Sequence, residues 1–421
     1  MKTLIKNASV FDGKHVKLKE HAWVIIENNL VKEILEEVVS EEHFDQVIDA
    51  EHKTVIPGLT DAHVHLFFNG NGISDAMRQD ENAVRSVRVA RDMLLRGFTT
   101  VRDAGGVTYG LKKNIDNGYL EGPRILPSNA FISQTSGHGD TRASRAEYRL
   151  TDSIYTSGTL QSKGTVLADG VAEVLRAVRE QLFLGASQIK IMAGGGISSA
   201  YDPIQTIQFT LEEMKAAVSA AADYGTYVMA HLYTPQSMQR AARAGVKSFE
   251  HATMMDEETA KIIAANEIWV TAGPQCGRNW HNEHTLEEIK KKSAMVRQGE
   301  AVTTELIHKY NLPILFGTDS FGDPDRVDRF QLEDFSFFKK RFGSFKGLVA
   351  ATGNIYELTK LMTYQNPYPE GKIGVLEEGS FADLCIVEGN PVEDLEVLAD
   401  RNNMKLIMKN GVVYKNTLTK S

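Results

Sequence analysis

The feature that most constrains this chain is an alternation between short apolar runs of strand length and longer stretches with helical periodicity. The apolar runs are Leu59–Leu66, Phe98–Asp103, Arg124–Ser133, Gln188–Ala193, Tyr227–Tyr233, Ser248–Thr253, Ile268–Ala272 and Ile314–Asp319. Between them lie AVRSVRVARDMLLRG, VAEVLRAVREQLFLG, LEEMKAAVSAAADYG and DEETAKIIAANE. Several of these stretches close on a glycine (Gly97, Gly185, Gly225), as a helix C-cap requires. About eight strand–helix repeats over roughly 300 residues predict an α/β fold, a (β/α)8 TIM-like barrel. A doubly wound open sheet is the runner-up, but it usually carries a Gly-rich fingerprint. The run Gly194–Gly196 does not continue into one.

The two ends of the chain read differently. TLIKNASVF, HAWVIIENNLVKEI and the segment ending QVIDAEHKTVIP look like strands, with Asn28-Asn29 as a turn. The C-terminal SFADLCIVEG and KLIMKNGVVY match them, with Asn410-Gly411 as another turn. Two separate β-extensions would each leave an apolar face unburied, so one β-sandwich built from both termini is the economical reading. The expected division is residues 1–57 and 368–421 for the composite β-domain and 58–367 for the barrel.

Composition excludes several classes. A formal charge of −8 argues against a nucleic-acid partner, which calls for a basic face. Two cysteines, Cys276 and Cys385, make no disulfide framework. The opening MKTLIKNASVFDG alternates like a strand instead of forming a signal-peptide core. No apolar run approaches the ~20 residues that span a bilayer. The expectation is a soluble, cytoplasmic protein that takes a small-molecule substrate and has no membrane partner.

The unusual polar residues fall on the predicted strands. His63 and His65 end the first, and their spacing of two puts both imidazoles on one face. Lys190 lies in QIKIM, His231 in VMAHLY, His251 in SFEHAT and Asp319 in LFGTDS, all at or near strand C-terminal ends, where barrel active sites assemble. Singly, each has a dull explanation: a strand-end histidine is often a packed rim residue, and an Asp after Gly-Thr is often a helix N-cap. Lys190 is harder to dismiss. Flanked by Ile189 and Ile191, it faces opposite to them, and a buried ammonium must be paired, neutral or modified. Six such residues on five strands point to a metal site. Imidazole and carboxylate suit Zn²⁺ and its neighbours. A neutral lysine amine takes up CO₂ as a carbamate, whose two oxygens bridge two cations, and a nearby carboxylate can carry a proton to a leaving amine.

At these residues the chain resembles the amidohydrolase superfamily. The stretches that carry the likeness are VIPGLTDAHVHL, GFTTVRDAGG, SQTSGHGD, GASQIKIMAGGG, AHLYTP and GKIGVLEEGSFADLCIVEGNPVEDL. The nearer likeness is to a binuclear group with prolidase-like Xaa-Pro dipeptidases, arginine/lysine carboxypeptidases and ochratoxin-type amidases. The resemblance implies that His63, His65 and Asp319 bind one divalent ion, with Zn²⁺ the first candidate. It implies that carboxylated Lys190 bridges to a second ion completed by His231 and His251, and that Asp319 shuttles the proton. It further implies that His138 contacts the scissile carbonyl or its tetrahedral oxyanion, that Tyr233 binds a substrate carboxylate, and that the chain forms homo-oligomers.

Two other activities belong to the same scaffold. One is imidazolonepropionase- or deaminase-like hydrolysis of a cyclic amide or amidine, against which Lys190 stands; the other is a non-catalytic scaffold, against which the full set of six stands. Asp140–Gly170, carrying Arg142, Arg145 and Arg149, reads as a long connection, either a lid or a solvated insertion. The acidic, aromatic segment FGDPDRVDRFQLEDFSFFKKRF and the loop Gly273–Glu283 are expected to shape the pocket.

Overall fold

A computed structural model describes residues 1–68, 79–140, 164–199, 201–273 and 287–418. The N-terminal strands are β1 (Lys2–Val10), β2 (Lys19–Glu27), β3 (Leu30–Leu35), β4 (Gln46–Asp49) and β5 (Thr54–Pro57). The C-terminal ones are β16 (Leu384–Val387), β17 (Met404–Lys409) and β18 (Val412–Asn416). They share one eight-stranded sheet in the order β18-β17-β16-β5-β1-β2-β3, with β4 also paired to β1. The joint between the two ends is the antiparallel pair β5·β16, which sets Val55 against Ile386. Both expected turns are present. Asn28 sits at φ 56° between β2 and β3, while Asn410 (φ 56°) and Gly411 (φ 74°) make the two-residue β17–β18 hairpin that favours asparagine and glycine.

Between these ends the strands are parallel. β6 (Leu59–Val64), β7 (Phe98–Asp103) and β8 (Arg124–Pro127) form one sheet. β9 (Phe131–Ser133), β10 (Thr165–Leu167), β11 (Ile189–Met192), β12 (Val228–Leu232), β13 (Ser248–His251), β14 (Trp269–Thr271) and β15 (Ile314–Leu315) form the other, in the order β10-β9-β11-β12-β13-β14-β15. Beyond β15 the chain returns to β6. Ala62 donates to the Phe316 carbonyl at 2.7 Å, Asp319 to that of His63 at 2.7 Å, and His65 to that of Ser320 at 3.0 Å.

The structure corrects three details of the sequence reading. Arg124–Ser133 is two strands, because Asn129 takes a left-handed φ of 54° and breaks the run. Thr165–Leu167, expected inside a loop, is β10. The strand expected to end at Asp319 stops at Leu315. Most of Asp140–Gly170, with all three of its arginines, and the Gly273–Glu283 loop beyond Gly273 lie outside the described residues, as does Cys276. Cys385 is buried with a free thiol.

Helices fill the intervals: α1 (Gln79–Leu94), α2 (Tyr109–Asp116), α3 (Val171–Phe183), α4 (Leu211–Asp223), α5 (Pro235–Ala244), α6 (Glu257–Ala265), α7 (Glu287–Lys309), α8 (Pro324–Phe342), α9 (Ser344–Ala350) and α10 (Asn354–Thr359). Their ends follow local chemistry. Thr210 and Glu213 form a reciprocal capping box at α4, and Gly97, Gly185 and Gly225 adopt positive φ after α1, α3 and α4. Among the described residues no helix is long and apolar enough to cross a membrane.

The main apolar core lies between the parallel strands and the helices, where alternate strand residues such as Ile189, Ile191, Ala230 and Leu232 meet helix residues such as Val178, Leu182 and Ala217. The segment after Asp319 contributes both core and pocket wall. Phe335 and Phe338 on α8 are fully buried, and Phe335 stacks on Phe316 at 5.0 Å and on Phe98 at 6.0 Å. Phe335→Ala removes one ring of this cluster and is expected to cost about 3–5 kcal/mol, measured as a lower urea midpoint.

Candidate active site

The period-2 rule places the polar residues. On β6 and just beyond, Val64 and Leu66 turn to the apolar core, while Asp61, His63 and His65 turn the other way. The same alternation points Lys190 and Met192 of β11, and His231 with Tyr233 at the end of β12, into one pocket with His63, His65, His251 and Asp319. His138 joins them from the loop after β9.

His63 and His65 have their tautomers set from behind. His63 Nδ1 donates to Glu250 Oε2 at 2.6 Å, and His65 Nδ1 donates to the Gly105 carbonyl at 3.0 Å. With the proton on Nδ1, each Nε2 carries a bare lone pair. These two Nε2 atoms lie 3.4 and 3.0 Å from Asp319 Oδ1. Three ligand atoms therefore converge within 4.8 Å of one another, an arrangement that holds together only with a cation among them, a proton or a metal ion. The donor set fits a divalent metal.

Lys190 is almost wholly buried, and its Nζ stands 3.5 Å from His63 Nε2. Burial pushes its ammonium down to about 8, against the opposing pull of Glu250 and Asp319. Burial, with the Lys190 charge nearby, likewise lowers His63 to about 4. His231 and His251 are held well below the ordinary imidazole range, by burial first and by neighbouring rings second. Neutral imidazoles are the form that ligates metal. For Asp319 burial alone would raise the carboxyl, but His63 and His65 bring it well below the usual range.

His251 follows Glu250 directly, and regular alternation would send the two side chains to opposite faces. It avoids this with a left-handed φ of 73°, so that both reach His63; its ring lies 5.1 Å from that of His63 and 4.7 Å from that of His231. Asp319 is left-handed too, at φ 47°, and is pinned by its N–H bond to His63. Non-glycine residues rarely adopt this conformation, and here it occurs at two of the converging side chains.

Sequence reasoning missed the layer beneath. Arg102 is fully buried; it donates to the Ala62 carbonyl at 2.6 Å, Glu250 Oε1 at 2.9 Å, Thr271 Oγ1 at 2.9 Å, Ser248 Oγ at 3.1 Å and the Tyr227 hydroxyl at 3.2 Å. It keeps Glu250 ionised well below the usual carboxylate range despite burial. Asp61 accepts from the Thr318 N–H at 3.0 Å, Thr318 Oγ1 at 2.6 Å and Gln331 Nε2 at 2.8 Å, which fixes the turn that carries Asp319. The signal for Asp61 was present, since period 2 puts it on the inward face of His63 and His65, whereas regular alternation would have placed Glu250 opposite His251. The outer wall is formed in part by Phe321, Arg326 and Phe330, so the acidic, aromatic segment does shape the pocket.

A model of the amidohydrolase family matches residues 54–414, most of the chain. The chain belongs to the amidohydrolase family. Ochratoxinase of Aspergillus niger is 29% identical over 374 residues, covering 86% of this chain and 75% of that protein. Among solved structures, a prolidase complexed with N-methylphosphonate-L-proline superposes with a TM-score of 0.90 at 32% identity, covering 99% of this chain and all of that one. A Xaa-Pro dipeptidase with methionine bound in its active site gives a TM-score of 0.83 at 30% identity, with 99% and 100% covered. This amidohydrolase is thus a mixed α/β hydrolase acting on carbon–nitrogen bonds, in a family that generally binds divalent metals.

Beneath the pocket, Arg102→Met would leave Glu250 buried without its cation. The variant is expected to lose about 3–5 kcal/mol of stability, read by chemical denaturation.

Proposed function

We propose that this protein is a binuclear metal-dependent hydrolase of an amide C–N bond, in a dipeptide of the Xaa-Pro or Xaa-Arg/Lys type or in an N-acyl amino acid. The observation that carries this reading is the convergence of the two histidine Nε2 atoms on Asp319, beside a buried lysine whose amine burial brings down to about 8. His63, His65 and Asp319 would hold one ion, with Zn²⁺ the first candidate. His231 and His251 would hold the second, and Lys190, carboxylated by CO₂, would lie between them. Once bound, the ions lower the pKa of water and polarise a carbonyl.

The chain's own residues do the rest. Asp319, ionised in its pocket, takes the proton of the attacking water and passes it to the leaving nitrogen, which must be protonated before the C–N bond breaks. His138 faces the scissile group and its tetrahedral oxygen. Tyr233, stacked at 5.2 Å on His251, offers its hydroxyl to a substrate carboxylate. The walls formed by Met192, Ile197, Phe321 and Phe330 exclude water from the reacting bond. The prolidase with its bound proline phosphonate and the dipeptidase with its bound methionine support an amino-acid moiety in the equivalent pocket.

We further propose that the two parallel sheets close as one (β/α)8 barrel over residues 58–367. The hydrogen bonds from β6 to Phe316–Ser320 support closure, since an open doubly wound sheet would leave that edge unpaired. Residues 1–57 and 368–421 are proposed as a single β-sandwich domain, supported by the core that Ile5, Val24, Val55, Leu384 and Leu406 share. A cytoplasmic location and a homo-oligomeric state belong to the same proposal.

Metal analysis of protein purified with bicarbonate, together with the activity of Lys190→Ala, tests the function. Close to two ions per chain and a variant without amide hydrolysis are expected. A single ion, or an undiminished variant, would sink the binuclear reading. A screen of Xaa-Pro, Xaa-Arg and N-acyl amino acid libraries then identifies the substrate.

A further inference from the structure

The loop after β11 is built around His138. Of its glycines Gly194–Gly196, the last has its packing reason in that ring: a Cβ at Gly196 would come within 1.9 Å of His138, so only glycine lets the imidazole lie against this backbone. The opposite face of the ring stacks on His231, with centroids 4.2 Å apart and planes 18° apart. The His138 N–H donates to Gln208 Oε1 at 2.8 Å. Sandwiched in this way, the ring has only its in-plane edges left for polar contacts.

One edge is occupied. His138 Nδ1 lies 2.7 Å from Ser199 Oγ and 3.5 Å from Asp202 Oδ2. Ser199 Oγ in turn donates to Asp202 Oδ1. Asp202 is 2% exposed, and its Oδ2 also accepts the Gly196 N–H at 2.7 Å. The serine has one hydrogen and gives it to the carboxylate, so the hydrogen between Ser199 and the ring belongs to His138 Nδ1. Burial alone would raise the Asp202 carboxyl, but His138, Ser199 and the charge of Lys292 bring it below its ordinary value.

Lys292, buried on α7, fixes this arrangement. Its Nζ donates to the carbonyls of Asp202 at 2.5 Å, Ser199 at 2.8 Å and Gly196 at 3.2 Å, and it stands 3.7 Å from Asp202 Oδ1. A buried cation that gathers the carbonyls of Gly196, Ser199 and Asp202 ties these three residues to α7.

We propose that Asp202 is a positioning residue for the hydrolysis. Directly and through Ser199 it holds His138 by its Nδ1–H, so that Nε2 is the nitrogen turned to the substrate's reacting group, while Lys292 ties Gly196, Ser199 and Asp202 together from below. The assignment rests on His138 contacting substrate in the proposed hydrolase. It gives a reason for the remote pair Asp202–Lys292, neither of which lines the pocket.

The test has two arms on the metal-replete, full-length chain. In the kinetic arm, Asp202→Leu lowers kcat by roughly 100-fold and leaves KM within about threefold, the size expected for loss of a positioned acid–base group. Asp202→Asn, which keeps an acceptor oxygen, recovers at least about tenfold of that loss. In a His138→Ala background the Asp202→Leu change costs less than about threefold, because the two residues act as a unit. Ser199→Ala leaves no buried charge unpaired and serves where Asp202→Leu folds poorly; it gives a smaller loss that likewise vanishes without His138.

In the second arm, ¹⁵N spectra of the histidine side chains are assigned by the signal lost in His138→Ala. They show His138 protonated at Nδ1 in the wild type and no longer fixed so in Asp202→Leu. Equal losses with and without His138, or a wild-type His138 whose Nδ1 carries no proton, overturn the proposal. The expected spectra without any amide turnover would instead overturn the hydrolase reading and leave the positioning of His138 standing.

Discussion

The buried pair Arg102–Glu250 is the interaction on which the rest of the centre depends. Glu250 accepts the hydrogen bond from His63 Nδ1–H and thereby turns His63 Nε2 toward Asp319. A carboxylate in so enclosed a place stays ionised chiefly because Arg102 lies against it, with His63 and Lys190 adding to the effect, and Arg102 is held by strands on every side: β6 through Ala62, β13 through Ser248, β14 through Thr271, and Tyr227 just ahead of β12. The guanidinium therefore cross-links strands far apart in sequence at the level just below the pocket. Its five donors are all used, which offsets much of the cost of taking a charge out of water.

How much of this was legible follows from where the information lies. The parallel strands were readable because each is buried on both faces and so appears as a continuous apolar run. Lys190 was readable because a charge in such a run is costly without a purpose. Arg102 occupies the same kind of position in FTTVRD, but an arginine at a strand end reads as easily as a solvated rim group, and only the fold brings Glu250 to it. The break at Asn129 and the short strand Thr165–Leu167 were invisible for another reason. Their hydrogen bonds come from tertiary neighbours and not from any local pattern, as when Thr165 Oγ1 donates to the Gly139 carbonyl at 2.8 Å. Asp202 and Lys292 lie 90 residues apart and meet only once α7 packs over the glycine loop.

Backbone strain marks where regular structure and chemistry conflict. A strand can point alternate residues at a pocket, but this centre needs neighbours. Glu250 must support His63 while His251, the next residue, reaches the same imidazole from the pocket side. Left-handed φ values at His251, Ala252 and Asp319 resolve the conflict at a cost of order 1–3 kcal/mol each. The surrounding hydrogen bonds, from Ala252 to the Leu232 carbonyl at 3.2 Å and from Asp319 to that of His63 at 2.7 Å, leave these residues no relaxed alternative. The glycine loop solves a related problem without strain, by removing side chains where a ring must lie flat on the backbone.

Charge balance then explains why the identity of residue 190 matters more than that of any one histidine. Arg102 and Glu250 cancel each other below the pocket, and burial favours neutral imidazoles at His63, His231 and His251, so Asp319 and Lys190 are the charges at the centre of the donor cluster. With Lys190 as an ammonium the two cancel, and the pocket offers a multiply charged cation little reason to bind. With Lys190 as a neutral amine one negative charge remains, and as a carbamate there are two, placed among the imidazoles of His63, His65, His231 and His251. Burial is what makes the change possible, because it brings the amine to about 8, where a useful fraction is unprotonated and can combine with CO₂. The apolar strand neighbours Ile189 and Ile191 therefore do more than pack against helices. By excluding water around Lys190 they set its protonation, and through it the charge that the proposed pair of ions would meet.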